Sequence, residues 1–402
     1  MQQQRKTYLW LWLLWLAGFY AVWLYLVLGL GLWPEAKAHW PIAAAMAIGS
    51  YAAGSTPMGG GTVGFPVLVL LFEQPATLGR DFSFAVQAIG MTSASIFILA
   101  RRQPVAWAMV TGAILGSLVG TPLGIWFIAP YIPGLWIKLT FAVVWASFGI
   151  LHLYRINEIA GHSGMTEFNE KWDFKVGCWI GLFSGATVAS VTGVGIDMVL
   201  YTALVLLCRT DLKIAIPTSV IIMAFTSVLG VVVKNLTTGM QPGVFENWLA
   251  AAPVVALGAP LGAYIVALVG RKPTLVVVAF LCVLQFVWTI YSEITHLGAA
   301  GIGLIIAGIG GALGWGAGVI ASVSAFFVGT SMAGPVGWAI AGITLAGTAA
   351  YFATTSNETK DTERFMNVLK SSTGRSVEAI WPEYEAGSDD LFFSDDDEVN
   401  EY

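Results

Sequence analysis

Two glycine-rich interruptions and one acid stand where an apolar chain has least use for them. Residues 57–64, Pro-Met-Gly-Gly-Gly-Thr-Val-Gly, interrupt the apolar stretch 41–72, and Gly193-Val194-Gly195-Ile196-Asp197 interrupts the stretch 176–207. A break of this kind leaves free backbone N–H groups at the start of the following half-helix. Those groups and the helix dipole together hold an anion that has shed its water, and glycine lets the backbone approach it closely. The candidate ligands are therefore Ser55, Thr56, Gly59, Gly60 and Gly61 at the first break, and Ser190, Thr192, Gly193 and Gly195 at the second. Gln87, Thr92 and Ser93 follow the first break and Thr218 and Ser219 follow the second, placed to hydrogen-bond an oxyanion from the side. The competing role for each Gly, Ser and Thr is close helix packing or bonding back to its own helix. Asp197 is the one acid deep within an interrupted stretch. A carboxylate so placed relays protons or holds a cation, or it caps the adjacent half-helix. Proton coupling is the role expected of it, because an ionised carboxylate beside an anion site repels the substrate.

The elements that must position these residues are membrane spans. Of the 402 residues 57% are hydrophobic and 11% charged, against about 25% charged in soluble domains. Apolar blocks run over 8–33, 41–72, 82–100, 104–130, 135–154, 176–207, 214–233, 248–270, 273–291 and 298–353, most of them long enough to cross a hydrocarbon core of about 30 Å. The two interrupted blocks are too long for one simple span. The first block follows Arg5 and Lys6 and lacks a small-residue cleavage motif, so it reads as an uncleaved span. The net charge of −5 is set by the end of the chain, where residues 357–402 hold 13 of the 24 acidic groups. That composition predicts a solvated acidic tail, whose partner, if Leu391-Phe392-Phe393 docks one, is unknown.

The chain repeats itself. At an offset of 136, Gly59 meets Gly195, Leu68 meets Leu204 and Leu70 meets Leu206, and at 138 Gly120-Thr121-Pro122-Leu123-Gly124 meets Gly258-Ala259-Pro260-Leu261-Gly262. Phe84-Ala85-Val86-Gln87 can be laid on Ile214-Ala215-Ile216-Pro217 if six residues are absorbed. This divides the chain into an extra N-terminal span within 1–40, repeat 1 at 41–154, a cytoplasmic connector at 155–175, repeat 2 at 176–291, and an extra apolar region at 298–353. Reading each interrupted block as a re-entrant hairpin places Arg5, Lys6, Arg101, Arg102, Arg155, Lys171, Lys175, Arg209, Lys213, Arg271 and Lys272 inside. Lys37, Arg80, Lys138 and Lys234 then fall outside, eleven against four. Reading each block as one broken span divides the same residues 8 to 7. The excess of inside Lys and Arg favours the hairpins. Three spans then separate them, so the repeats have opposite orientation. The expected fold is all-α, a polytopic membrane protein with two inverted-topology repeats, each with a Gly-rich re-entrant helical hairpin. The side of the tail depends on how often 298–353 crosses.

Met58-Gly59-Gly60-Gly61-Thr62-Val63-Gly64-Phe65-Pro66-Val67-Leu68, its reappearance at 193–204 and the following Ala215-Ile216-Pro217-Thr218-Ser219 resemble the signature of the TauE/SafE sulfite exporter family. The resemblance covers roughly 41–291. It implies a secondary transporter of sulfite, sulfonate or a related organosulfur anion in the bacterial inner membrane, not an enzyme. In repeat 2 Ile196-Asp197 replaces the glycine pair and Thr202 stands at the counterpart of Pro66, which puts the substrate in question more than the fold. An anion channel on the same scaffold and an intramembrane enzyme or assembly factor are the alternatives.

Other chemistries find no footing. Gly59-x-Gly61-x-x-Gly64 has the dinucleotide spacing but no βαβ context. Asp197 has no second intramembrane acid with which to form a protease pair. Cys178, Cys208 and Cys282 lie far apart and read as packing residues, so neither a metal nor a cofactor is expected. Basic residues form no stripe, which argues against nucleic acid. The expected partners are a small anion, the bilayer and, as an option, further copies of the chain. His39, His152, His162 and His296 read as interfacial, and the tryptophans within 10–40 read as an aromatic belt.

Overall fold

A computed structural model describes residues 7–161, 170–269 and 271–293. The region 298–353, the acidic tail, Arg5, Lys6, His162 and His296 lie outside the described residues. Everything described is helix and connector, with no strand among the described residues. Among the described residues, eight helices are long and apolar enough to cross a membrane.

Helix α1 (Leu9–Leu24) continues through a π turn at Tyr25–Gly29, and a short α2 (Trp33–Ala38) leads into α3 (Trp40–Ser55). Pro57 ends α3: the residue before a proline is pushed out of the helical region, and Thr56 is extended at φ −137° and ψ 167°. The chain restarts as α4 (Gly61–Pro66) and a π turn at Val67–Leu71. Three membrane-length helices follow, α5 (Ala76–Ala100), α6 (Trp107–Phe127) and α7 (Gly134–Gly161). The pattern then recurs. Helix α8 (Glu170–Ser184) passes through a π turn and a single helical turn, α9 (Ser190–Thr192), before it breaks. Here the break is made by left-handed glycines, Gly193 at φ +80° and Gly195 at φ +102°, a region closed to most side chains. The chain resumes as α10 (Ile196–Thr202) with a π turn at Ala203–Leu207, then α11 (Leu212–Leu236), α12 (Val244–Val269) and α13 (Arg271–Glu293).

The duplication is closer in structure than in sequence. The π turns begin at Val67 and Ala203, and the 25-residue helices α5 and α11 begin at Ala76 and Leu212, each 136 residues apart. The left-handed residues Glu73 and Arg209 keep the same offset. So do the turn bonds from Gln74 N to Leu68 O at 2.9 Å and from Thr210 N to Leu204 O at 3.1 Å. No residues need be absorbed between the breaks and the following helices, so the pairing of 84–87 with 214–217 is wrong. Ser83 answers Ser219, and Gln87 answers Met223. The mismatch arose because α5 begins at Ala76, well before the apolar block at 82: Arg80 and Asp81 pair with each other and enter the helix.

The halves are interleaved. Helix α6 lies on α8, where Gly112, Gly116, Gly120 and Gly124 sit against the carbonyl oxygens of Phe174, Cys178, Leu182 and Ala186. Helix α12 lies on α3, where Gly54 meets the Ala259 carbonyl and Gly262 that of Tyr51. Side chains would hold these backbones apart. Helix α1 is peripheral. Its tryptophans divide: Trp10 is exposed, but Trp12 donates to Ser93 Oγ at 3.0 Å and Trp23 to the Leu249 carbonyl at 2.9 Å. An aromatic belt accounts for only part of them. His152 is buried as well, where an interfacial place was expected. Its Nδ1 donates to the Phe148 carbonyl at 2.8 Å, and its Nε2 accepts from the Tyr201 hydroxyl at 3.1 Å.

Candidate functional site

The two breaks touch. A Cβ on Gly61 would overlap Val194 Cγ1, and it would also crowd Ser83 Oγ and Gln87 Nε2. A Cβ on Gly59 would overlap Gln87 Oε1, and one on Gly193 would overlap the Arg80 carbonyl oxygen. At Gly193 glycine is required by its approach to backbone and by its backbone angle, whereas at Gly59 and Gly61 a Cβ would displace the side chains of Gln87 and Val194. Gln87, on α5, lies between the breaks: its Nε2 donates to the Ser83 carbonyl at 3.1 Å and reaches the Gly193 carbonyl at 3.4 Å. Trp145, on α7, closes the other side. It donates to Thr62 Oγ1 at 2.8 Å, lies against Gly195, and stacks on Phe141 at 3.9 Å, which stacks on Phe65 at 4.4 Å.

Asp197 is fully buried in the first turn of α10. Its Oδ1 accepts from the Met198 N–H at 3.0 Å, and backbone N–H groups of Gly59, Gly195 and Asp197 itself also face the carboxyl group. The acid of the second half thereby meets the backbone of the first break. Its Oδ2 makes no full hydrogen bond, and neither does Gln87 Oε1, which lies beside Gly59.

The hydroxyls behave differently from the amides. Ser55 donates to the Tyr51 carbonyl at 2.7 Å, Thr56 to Ala52 at 2.6 Å and Ser190 to Ala186 at 2.6 Å; Thr192 reaches both Val188 and Val194 at 2.8 Å. All four are buried at the breaks, and all four bond back to backbone. Ser93 and Thr218 are used elsewhere: Ser93 ties α5 to the Ala256 carbonyl at 2.6 Å, and Thr218 accepts from the Ala106 N–H at 3.0 Å. Ser219 donates to Ile216 at 2.8 Å, and Thr92 is half-buried on another face of α5 from Gln87. The structure therefore gathers Gly59, Gly60, Gly61, Gln87, Gly193, Gly195 and Asp197, whereas the hydrogen bonds of Ser93 and Thr218 lead away to Ala256 and Ala106. Ser83 and Trp145 join the group without having been anticipated. Ser83 could have been found from its place one turn before Gln87; nothing local marks Trp145.

A small cavity adjoins the first break, lined by Met46, Ser50, Gly60, Gln87, Val255 and Ala259, with room for about one water. The breaks are closed on each other, with Val194 against Gly61 where space for a dehydrated anion was expected.

Among the described residues, eight apolar helices and two helices broken toward one another define a multi-pass membrane protein. Residues 41–289 match the profile of the family described as Sulfite exporter TauE/SafE. The match spans more than half of the chain and takes in both breaks, and the chain belongs to this family, a family of transporters. No curated relative and no solved structure matched the chain.

Proposed function

We propose that the protein is a secondary transporter that carries sulfite, a sulfonate or a related oxyanion across the bacterial inner membrane together with a proton. The repeats are read as inverted and the broken segments as re-entrant hairpins, with three membrane-length helices between the breaks to set the inversion. Alternating access comes from one half moving against the other, which parts Val194 from Gly61 and admits the anion.

The observation that carries this reading is the Asp197 carboxylate among the amides of Gly59, Gly195 and Met198. A half-helix N-terminus favours negative charge, and in the closed state Asp197 supplies it. A substrate oxyanion needs the same amides and meets repulsion from the carboxylate. A proton on Asp197 removes the charge and turns Oδ2, which lacks a partner, into a donor. Anion and proton thus bind together or not at all. The hydroxyls back-bonded at the breaks offer only lone pairs, so the donors to the anion are backbone amides.

The test is sulfite flux into proteoliposomes with and without a pH gradient. The wild type is expected to show saturable flux driven by the gradient. Asp197→Asn, which fixes the uncharged state, is expected to keep sulfite exchange and to lose the gradient's effect. Gradient-driven accumulation that survives in Asp197→Asn would remove the coupling role, and unsaturable flux indifferent to pH would favour a channel.

A further inference from the structure

Arg80, Asp81 and Lys234 form a buried ion cluster that the breaks do not use. Arg80 Nε donates to Asp81 Oδ1 at 2.9 Å, Lys234 Nζ lies 3.1 Å from Asp81 Oδ2, and the Gln241 N–H donates to that same oxygen at 3.1 Å. The three side chains are 7%, 0% and 5% exposed. Both oxygens of Asp81 are engaged, whereas the terminal nitrogens of Arg80 make no hydrogen bond among the described residues and keep some accessible surface. Two cations share one anion, which leaves one positive charge in excess. Burying a charge is costly unless it is compensated, and an oxyanion at Arg80 and Lys234 would compensate this one.

A clamp between α5 and α11 needs one cation, not two. The duplication also provides an internal control. Helices α5 and α11 run antiparallel, with Ser95 of one reaching the Val220 carbonyl of the other at 3.5 Å. At the offset of 136, Arg80, Asp81 and Lys234 correspond to Ile216, Pro217 and Ile98, at the opposite end of the same helix pair. Those three are buried and apolar, so the packing does not demand ions there. The buried charge marks one end of the pair.

The cluster also lies on the way to the breaks. Arg80, Ser83 and Gln87 follow i, i+3, i+7 along one face of α5, the Arg80 carbonyl packs on Gly193, and seven residues of helix span about 10 Å. The geometry points to an oxyanion-binding station at Arg80 and Lys234, next to the second break and about 10 Å along α5 from Gln87, through which a sulfite- or sulfonate-like anion passes between the breaks and one membrane face. Guanidinium presents a planar fork to an oxyanion. Asp81 limits the excess to a single charge, so the anion is held but also released. The station rests on the reading of the chain as an oxyanion transporter.

The experiment measures the apparent KM for sulfite flux in proteoliposomes of the full chain as the net charge of the cluster is changed. Asp81→Asn raises the excess to two and is expected to lower KM. Lys234→Gln brings it to zero and is expected to raise KM about tenfold, the worth of one charge-assisted hydrogen bond. The double variant restores one charge and is expected to return toward the wild type. A mere clamp is broken by either single substitution, so single variants that shift KM in the same direction, or not at all, overturn the station. If Lys234→Gln does not yield folded protein by size exclusion, the direction of the Asp81→Asn shift decides alone: a lower KM supports the station, and a raised or unchanged KM overturns it. Wild-type protein with no saturable sulfite flux overturns the transport reading itself, and the station with it, and is distinguished by being seen before any substitution.

Discussion

Backbone amides rather than hydroxyls are the donors left at the breaks. A serine or threonine whose proton is committed to the carbonyl four residues back presents only lone pairs outward, and Ser55, Thr56 and Ser190 are all in that state. The glycines therefore matter for where they let the backbone go. Gly193 is the sharpest case, since it combines a left-handed backbone with contact against the Arg80 carbonyl. Gly193→Ala is expected to destabilise the protein by about 1–3 kcal/mol and to lower the Tm of the detergent-purified chain; an unchanged Tm would contradict the strain argued for this position. At this scale the sequence was informative wherever the break itself was the signal. Gly59, Gly61, Gly193, Gly195 and Asp197 stand out because glycine and acid are conspicuous in apolar surroundings. Ser93 and Thr218 read as lateral ligands on the helices after the breaks, but their partners are Ala256 and Ala106, which no local pattern reveals. Trp145 was invisible for the same reason, because its bond to Thr62 spans 83 residues.

The helices are held together by absence of side chains. Four glycines spaced by four on α6 lie against the backbone of α8, and Gly177 and Gly181 answer from α8 against the carbonyls of Met109 and Ala113. Gly116→Val would drive a branched side chain into the Cys178 carbonyl and is expected to cost about 1–3 kcal/mol, read as a lower Tm. Gly18→Ala, on peripheral α1 with nothing within 4 Å of a new Cβ, is the control, expected to be neutral or to stabilise by about 0.5–1 kcal/mol. Equal losses in the two variants would mean that the glycine contacts contribute no stability. The span positions were legible because apolar length is a strong signal in a membrane protein. Helix starts were not: α5 takes in Arg80 and Asp81 because they neutralise each other partly, and a charged pair reads from sequence as a connector. The two breaks also use different means, Pro57 in the first and left-handed glycines in the second, so their shared role was clearer from position than from residue type.

Among the described residues the pattern of α3 to α7 recurs in α8 to α13, and the two are crossed, with α3 on α12 and α6 on α8, so that each half braces the other's broken segment. The offset of 136 was visible in a few matched residues and became regular only once turns and helix starts could be laid side by side. Distances between halves were never in the sequence, and so neither was the closure of Val194 on Gly61. That closure makes the central claim testable, because a transporter working by alternating access must open this contact to each side in turn. The most direct measurement is the reaction of Val194→Cys, in a chain with Cys178, Cys208 and Cys282 replaced, with a membrane-impermeant thiol reagent applied to either face of proteoliposomes. Labelling from both faces, slowed on each by sulfite, is the expected result. A thiol that reacts from neither face, or whose reaction is indifferent to sulfite, would contradict the account.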